Sequence, residues 1–194
     1  PMPPPTSTPE SWSVATLSPP PTATPEGECS PWPSEITSIL NVLSVPSGLC
    51  FKWLEPGEGA FYASPTRTAH FGYIEPETGY LSHIAHEVCH AYQHQEALDA
   101  GFEDDGNILT DWTSTPAGAD FVTSTGWTYG PEGWVEPEWE PGYGGYLNPV
   151  EDHAQLCAIW FDPAGFWTYI QPGYLENQAP IRYAWAQEWL PTPP

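Results

Sequence analysis

Residues 82–98 read SHIAHEVCHAYQHQEAL and hold His83, His86, His90 and His94, four of the chain's six histidines. Their spacing of three and four residues is the repeat of an α-helix, and it constrains the fold more than any other feature. On a helix over 83–98, at about 100° per residue, Ile84, Val88, Ala91, Tyr92 and Leu98 fall on one side. His83, His86, Glu87, His90 and His94 fall on the other. The pattern predicts an amphipathic helix, one face packed on a core and the other carrying polar chemistry. Cys89 lies off the histidine-centred face, a poor place for a metal ligand and a suitable one for a disulfide.

The other segments supply elements to pack against this helix. Residues 34–43 and 179–190 have helical apolar spacing, and 113–127 reads as a short helix opened by Thr115 and Pro116 and stopped near Gly126. Residues 148–161 read as a further helix, with Asn148 as N-cap and Pro149 in the first turn. Strands are expected over 50–55, 59–64 and 69–76, the last two joined by a polar turn. The Gly-, Pro- and Trp-rich stretch 128–147 reads as loop. A few strands ahead of several helices make the expected fold class α+β. Eleven Trp, ten Tyr and seven Phe furnish the apolar mass of its core, because Leu, Ile and Val are few.

Two regions follow from composition. Residues 1–28 are Pro, Thr and Ser with little else, an extended polyproline-type arm or stalk that cannot bury enough apolar surface to fold alone. The Thr and Ser within residues 6–24 are candidate O-glycan sites. Residues 29–194 form the globular domain. The chain opens at Pro1 without a leader, as a product of leader removal would.

Twenty-five acids against three basic residues, Lys52, Arg67 and Arg182, give a formal charge of −22. That balance excludes a nucleic-acid backbone binder and argues against an anionic membrane surface. No apolar run is long enough to span a membrane. Four cysteines suit two disulfides in an extracellular chain, and the expected pairs are Cys29–Cys50 and Cys89–Cys157.

Inside the histidine segment, His86-Glu87-Val88-Cys89-His90 is H-E-x-x-H. Histidines at i and i+4 stand one turn apart, so both imidazoles can bind one Zn²⁺. The carboxylate beside the first of them reaches a metal-activated water without ligating the metal, and can take its proton as it attacks a carbonyl. A third histidine at H-E-x-x-H-x-x-G-x-x-H spacing is missing, since Gln93 and Glu96 occupy the Gly and His positions. A Glu on a later helix is the other common arrangement, and Glu151 in 148–161 supplies it, with Asp152 and His153 in reserve. The competing reading makes Glu151 a capping-box carboxylate for its own helix. Ala154 and Ala158 share its face and would let the two helices approach closely. His83 and His94 are read as hydrogen-bonded or solvated neighbours rather than ligands.

H-E-x-x-H followed by N-P-x-E-D-x-A resembles the gluzincin-type zincins, especially the group of the anthrax lethal factor catalytic domain and the Pro-Pro endopeptidases. Their second helix reads about E-[DF]-F-A-E, against Glu151-Asp152-His153-Ala154-Gln155 here. The resemblance keeps the ligand Glu and the Ala, and replaces the aromatic by His153 and the last Glu by Gln155. It implies a small α+β zincin-like domain with a short sheet edging the cleft, Zn²⁺ as cofactor, and peptide or protein substrates. It also implies a tyrosine for the oxyanion shortly before the ligand Glu. That place falls on Gly144, with Tyr143 and Tyr146 on either side.

Two functions fit these residues. The first is a secreted zinc metallopeptidase with His86, His90 and Glu151 on the metal, Glu87 as general base, and Tyr143 or Tyr146 at the oxyanion. The second is a structural subunit of an extracellular assembly, a homo-oligomer or filament built on a zincin-like domain and joined through the Pro-rich arm.

Overall fold

The computed structural model describes residues 27–55, 58–72, 80–140, 143–144, 146–161 and 173–193. The Pro-rich arm, its O-glycan candidates and its proposed role in assembly lie outside these residues up to position 26. Residues 73–76 of the third expected strand do too.

A short mixed sheet starts the fold. Strands β1 (Cys50–Leu54), β2 (Ala60–Ala63) and β3 (Thr68–Gly72) are ordered β1-β3-β2. β1 runs parallel to β3 with Cys50 opposite Thr68, and β2 runs antiparallel with Ala60 opposite Phe71. The polar turn from β2 to β3 is a 3-10 turn over Ser64–Thr66, followed by Arg67 in the left-handed region at φ 49°. Such a conformation is costly for a residue with a Cβ, and Arg67 is fastened there at both ends. Its backbone N–H donates to Ser64 O, and its guanidinium donates to Ser47 O and pairs with Asp104. Gly72 closes β3 where residues 58–59 cross it, and a Cβ there would stand 1.7 Å from the Glu58 carbonyl oxygen.

Seven helices among the described residues complete an α+β architecture. Helix α1 (Ser34–Leu40) buries Ile36 and Ile39. Helix α2 (Tyr80–Asp99) is the histidine helix. Helix α3 (Ile108–Asp111) leads through a 3-10 turn at Trp112–Ser114 into α4 (Pro116–Thr125). The α4 boundaries follow the expected chemistry: the Thr115 hydroxyl accepts the Gly118 N–H at 3.0 Å, and Gly126 ends the helix at φ 84°. Helix α5 (Pro149–Phe161) is opened by Asn148, whose Oδ1 accepts the N–H groups of Val150 and Glu151 at 2.9 and 3.0 Å. Helices α6 (Tyr174–Gln178) and α7 (Pro180–Trp189) follow.

Two expectations need correction. The stretch 128–147 is not all loop, because β4 (Thr128–Gly130) and β5 (Gly133–Val135) form a hairpin. Its strands are held by Tyr129 opposite Trp134, ring centroids 5.1 Å apart, a cross-strand aromatic pair beside the Gly130–Gly133 pair at the turn. Nor is α2 half solvated. Ile84, Val88 and Ala91 are fully buried as expected, but so are Gln93 and His94, and Glu87 and His90 are only 6 % and 4 % exposed. The polar face is enclosed because α5 lies along it and the β2–β3 ribbon packs against it.

Ala154 and Ala158 on α5 are fully buried, and the α2–α5 pair is the most extensive helix contact. The disulfide Cys89–Cys157, Cα atoms 6.0 Å apart, ties these two helices, and Cys29–Cys50 ties the segment before α1 to β1. Both pairings are those expected, and they mark an oxidising compartment. No helix among the described residues is long and apolar enough to cross a membrane.

Candidate metal centre

The single helical turn of the H-E-x-x-H segment brings His86 and His90 one above the other on α2, ring centroids 4.8 Å apart and nearly perpendicular. The Asn148 cap fixes where α5 begins, and so places Glu151 in its first turn facing those rings. Glu151 Oε2 lies 3.1 Å from His86 Nε2, and Oε1 lies 3.5 Å from His90 Nε2. Its carboxylate therefore sits on the histidines, and α5 is capped by Asn148 instead.

The donor set fits a small divalent ion. One nitrogen or oxygen from each of His86, His90 and Glu151 lies within 4.8 Å of the others. Two ligands held about 2.0–2.2 Å from one tetrahedral ion stand about 3.3–3.6 Å apart. The His90–Glu151 separation falls within that spacing and the His86–Glu151 separation, to the other carboxylate oxygen, slightly below it, and two imidazoles with one carboxylate are donors that zinc accepts.

Electrostatics distinguish the members. Hydrogen bonds to His86 and then His90 hold the Glu151 carboxyl well below the usual carboxylate range. Burial pushes the His86 imidazole down, against the hydrogen bonds of Glu151 and the Gln155 side chain. Burial also opposes protonation of His90, but the hydrogen bond it donates to Glu151 and the charge of Glu87 outweigh it and raise its pKa. Glu87 is held up to about 7 by burial, although the Tyr62 backbone N–H bonds to it. A carboxyl group tuned near neutrality beside a metal-ligand cluster is suited to give and take a proton.

The remaining candidates occupy other sites. Asp152, a reserve ligand, turns away from the histidines into a buried cluster: it accepts from Arg182 Nε and Nη2 at 3.0 and 2.6 Å and from Trp127 Nε1 at 2.8 Å. Arg182 Nη1 meets Glu140 at 2.7 Å, and the guanidinium lies over the rings of Trp139 and Tyr143. The Tyr143 hydroxyl donates to Asp152 Oδ1 at 3.0 Å in the same buried cluster, so this tyrosine is tied to α5. Tyr146 packs against Tyr143 and Trp139. His153, the other reserve, is fully buried and held by Gln93 among aromatic rings. His94 is also fully buried: its Nδ1 meets the Tyr62 hydroxyl at 2.7 Å, and its Nε2 meets Asp104 at 2.9 Å.

Sequence reasoning missed Gln93, whose amide contacts both His90 and α5. The available signal was its position three residues after His90, on the same helix face. Comparison with protein-family models, curated proteins and solved structures finds no match.

Proposed function

We propose that this chain is a zinc-dependent metallopeptidase acting in an extracellular, oxidising setting, on peptide or protein substrates. His86, His90 and Glu151 hold the metal, and Glu87 moves the proton. The convergence of those three side chains, with Glu87 one residue from the first of them, carries the reading. The sequence resemblance to gluzincin-type zincins supports it from the motif side.

A zinc ion, when bound, supplies Lewis acidity and brings the pKa of a water molecule to about 7. Glu87 accepts a proton as water adds to the peptide carbonyl carbon, and returns it to the amine as the C–N bond breaks. The Tyr62 N–H fixes the orientation of the Glu87 carboxylate, while burial keeps its proton affinity near neutrality. The resemblance offers Tyr143 or Tyr146 for the developing oxyanion, and the Tyr143 hydroxyl donates to Asp152.

The test is hydrolysis of a mixture of unfolded proteins by the purified chain. Activity should vanish with a chelator, return with zinc, and fall about 10²–10⁴-fold in Glu87→Gln. Equal hydrolysis by Glu87→Gln with zinc still bound would remove Glu87 from the mechanism.

A further inference from the structure

Gln93 is fully buried and makes three hydrogen bonds, two to imidazole nitrogens and one to a backbone carbonyl. Its Oε1 lies 2.8 Å from His90 Nδ1. Its Nε2 lies 2.9 Å from the Val150 carbonyl oxygen and 2.9 Å from His153 Nδ1. Val150 and His153 both belong to α5, on either side of Glu151. One amide therefore joins a candidate ligand on α2 to the helix that carries another.

The orientation of that amide follows from one atom. A backbone carbonyl can only accept a hydrogen bond. Turning the amide over would set its oxygen against the Val150 oxygen at 2.9 Å, acceptor against acceptor, in a site with no room for water to intervene. The nitrogen must face Val150, and the oxygen must face His90. That oxygen only accepts, so His90 Nδ1 carries a proton; in the imidazolium Nε2 donates to Glu151, and in the neutral ring Nε2, the atom nearest Glu151, keeps the lone pair. The second amide hydrogen goes to His153 Nδ1, which leaves the proton of neutral His153 on Nε2. That atom has no hydrogen-bond partner among the described residues, and its ring stands 4.3–5.5 Å, centroid to centroid, from those of Trp112, Phe121 and Trp185. An N–H among aromatic rings is tolerable, and a bare lone pair would gain nothing from them.

We infer that Gln93 is a positioning residue that commits His90 to bind metal through Nε2, with the Val150 carbonyl as the fixed reference and His153 as buttress. The metal consequence rests on the zinc reading above, whereas the tautomer assignment does not.

The experiment reads the two halves separately. Nitrogen-15 NMR of the metal-free chain at about pH 9, where imidazoles are neutral, should find His90 protonated at Nδ1 and His153 at Nε2. Finding His90 protonated at Nε2 would overturn the assignment, whatever the metal does. Competition between the chain and a zinc chelator should then show affinity lowered about 10–100-fold in Gln93→Met. His153→Phe should weaken it less, since Val150 still fixes the amide. Unchanged zinc affinity in a folded Gln93→Met would overturn the positioning role. If the wild-type chain takes up no zinc while the tautomers are as stated, the zinc reading fails and the role of Gln93 at the metal fails with it, leaving the amide orientation intact.

Discussion

Two polar clusters stand one turn apart on α2, built from the same residue types, and they end differently. At His94 every polar atom of the ring has a protein partner: the Tyr62 hydroxyl on one nitrogen, Asp104 on the other, and Arg67 on Asp104 in turn. At His86 and His90 the outer nitrogens point toward a single carboxylate that neither encloses, and Glu151 is 41 % exposed at its side chain. A satisfied cluster fastens one element to another, here β2 to α2. A cluster whose lone pairs converge on a shared point, open on one side, is a place for an ion and a substrate. Histidine content alone does not separate the two.

The sharpest way to break the comparison is to take a partner from a closed cluster. Arg182→Met leaves Asp152 and Glu140 buried and uncompensated, and should destabilise the fold by about 3–5 kcal/mol in chemical denaturation. A loss below about 1 kcal/mol would mean that the cluster is solvated and does not brace α5.

A smaller effect is expected at His94. His94→Leu keeps the bulk but strands the Tyr62 hydroxyl, and should cost about 1–3 kcal/mol while zinc uptake stays unchanged. Loss of zinc in this variant, with the fold intact, would merge the two clusters into one site.

The smallest effect is a pH dependence of stability. Burial lowers the His94 pKa against the raising influence of Asp104 and with the help of Arg67, and Tyr62 faces the same ring. The unfolded chain therefore takes up the proton first as pH falls. The contribution is fully present above the unfolded value of about 6.5 and is lost as pH falls toward the lower folded one. Thermal unfolding between about pH 7 and 5 should be less pH-dependent in His94→Leu than in the wild type. An identical profile would remove His94 as a contributor.

Much of this was legible in the sequence where the controlling chemistry is local. Thr115, Pro116 and Gly126 mark both ends of α4, and Asn148 with Pro149 marks the start of α5. The i, i+4 spacing of His86 and His90 and the choice of Glu151 over its neighbours also came from short-range pattern. What was not legible is set by partners distant in the chain. The burial of the α2 polar face depends on α5, 50 residues and more away, and a helical wheel cannot reveal what covers it. That Tyr143 would lie against Arg182 and bond Asp152 was not legible either. The β4–β5 hairpin hid in a stretch dominated by turn formers, because Tyr129 and Trp134 specify pairing only once they meet.

The central claim is that His86, His90 and Glu151 form one metal site while His94 does not. The most direct measurement is zinc per chain, determined on purified wild type, Glu151→Ala and His94→Leu after equal loading. The account predicts about one zinc in the wild type and in His94→Leu and none in Glu151→Ala. Zinc retained by Glu151→Ala, or absent from a folded wild-type chain, would contradict it.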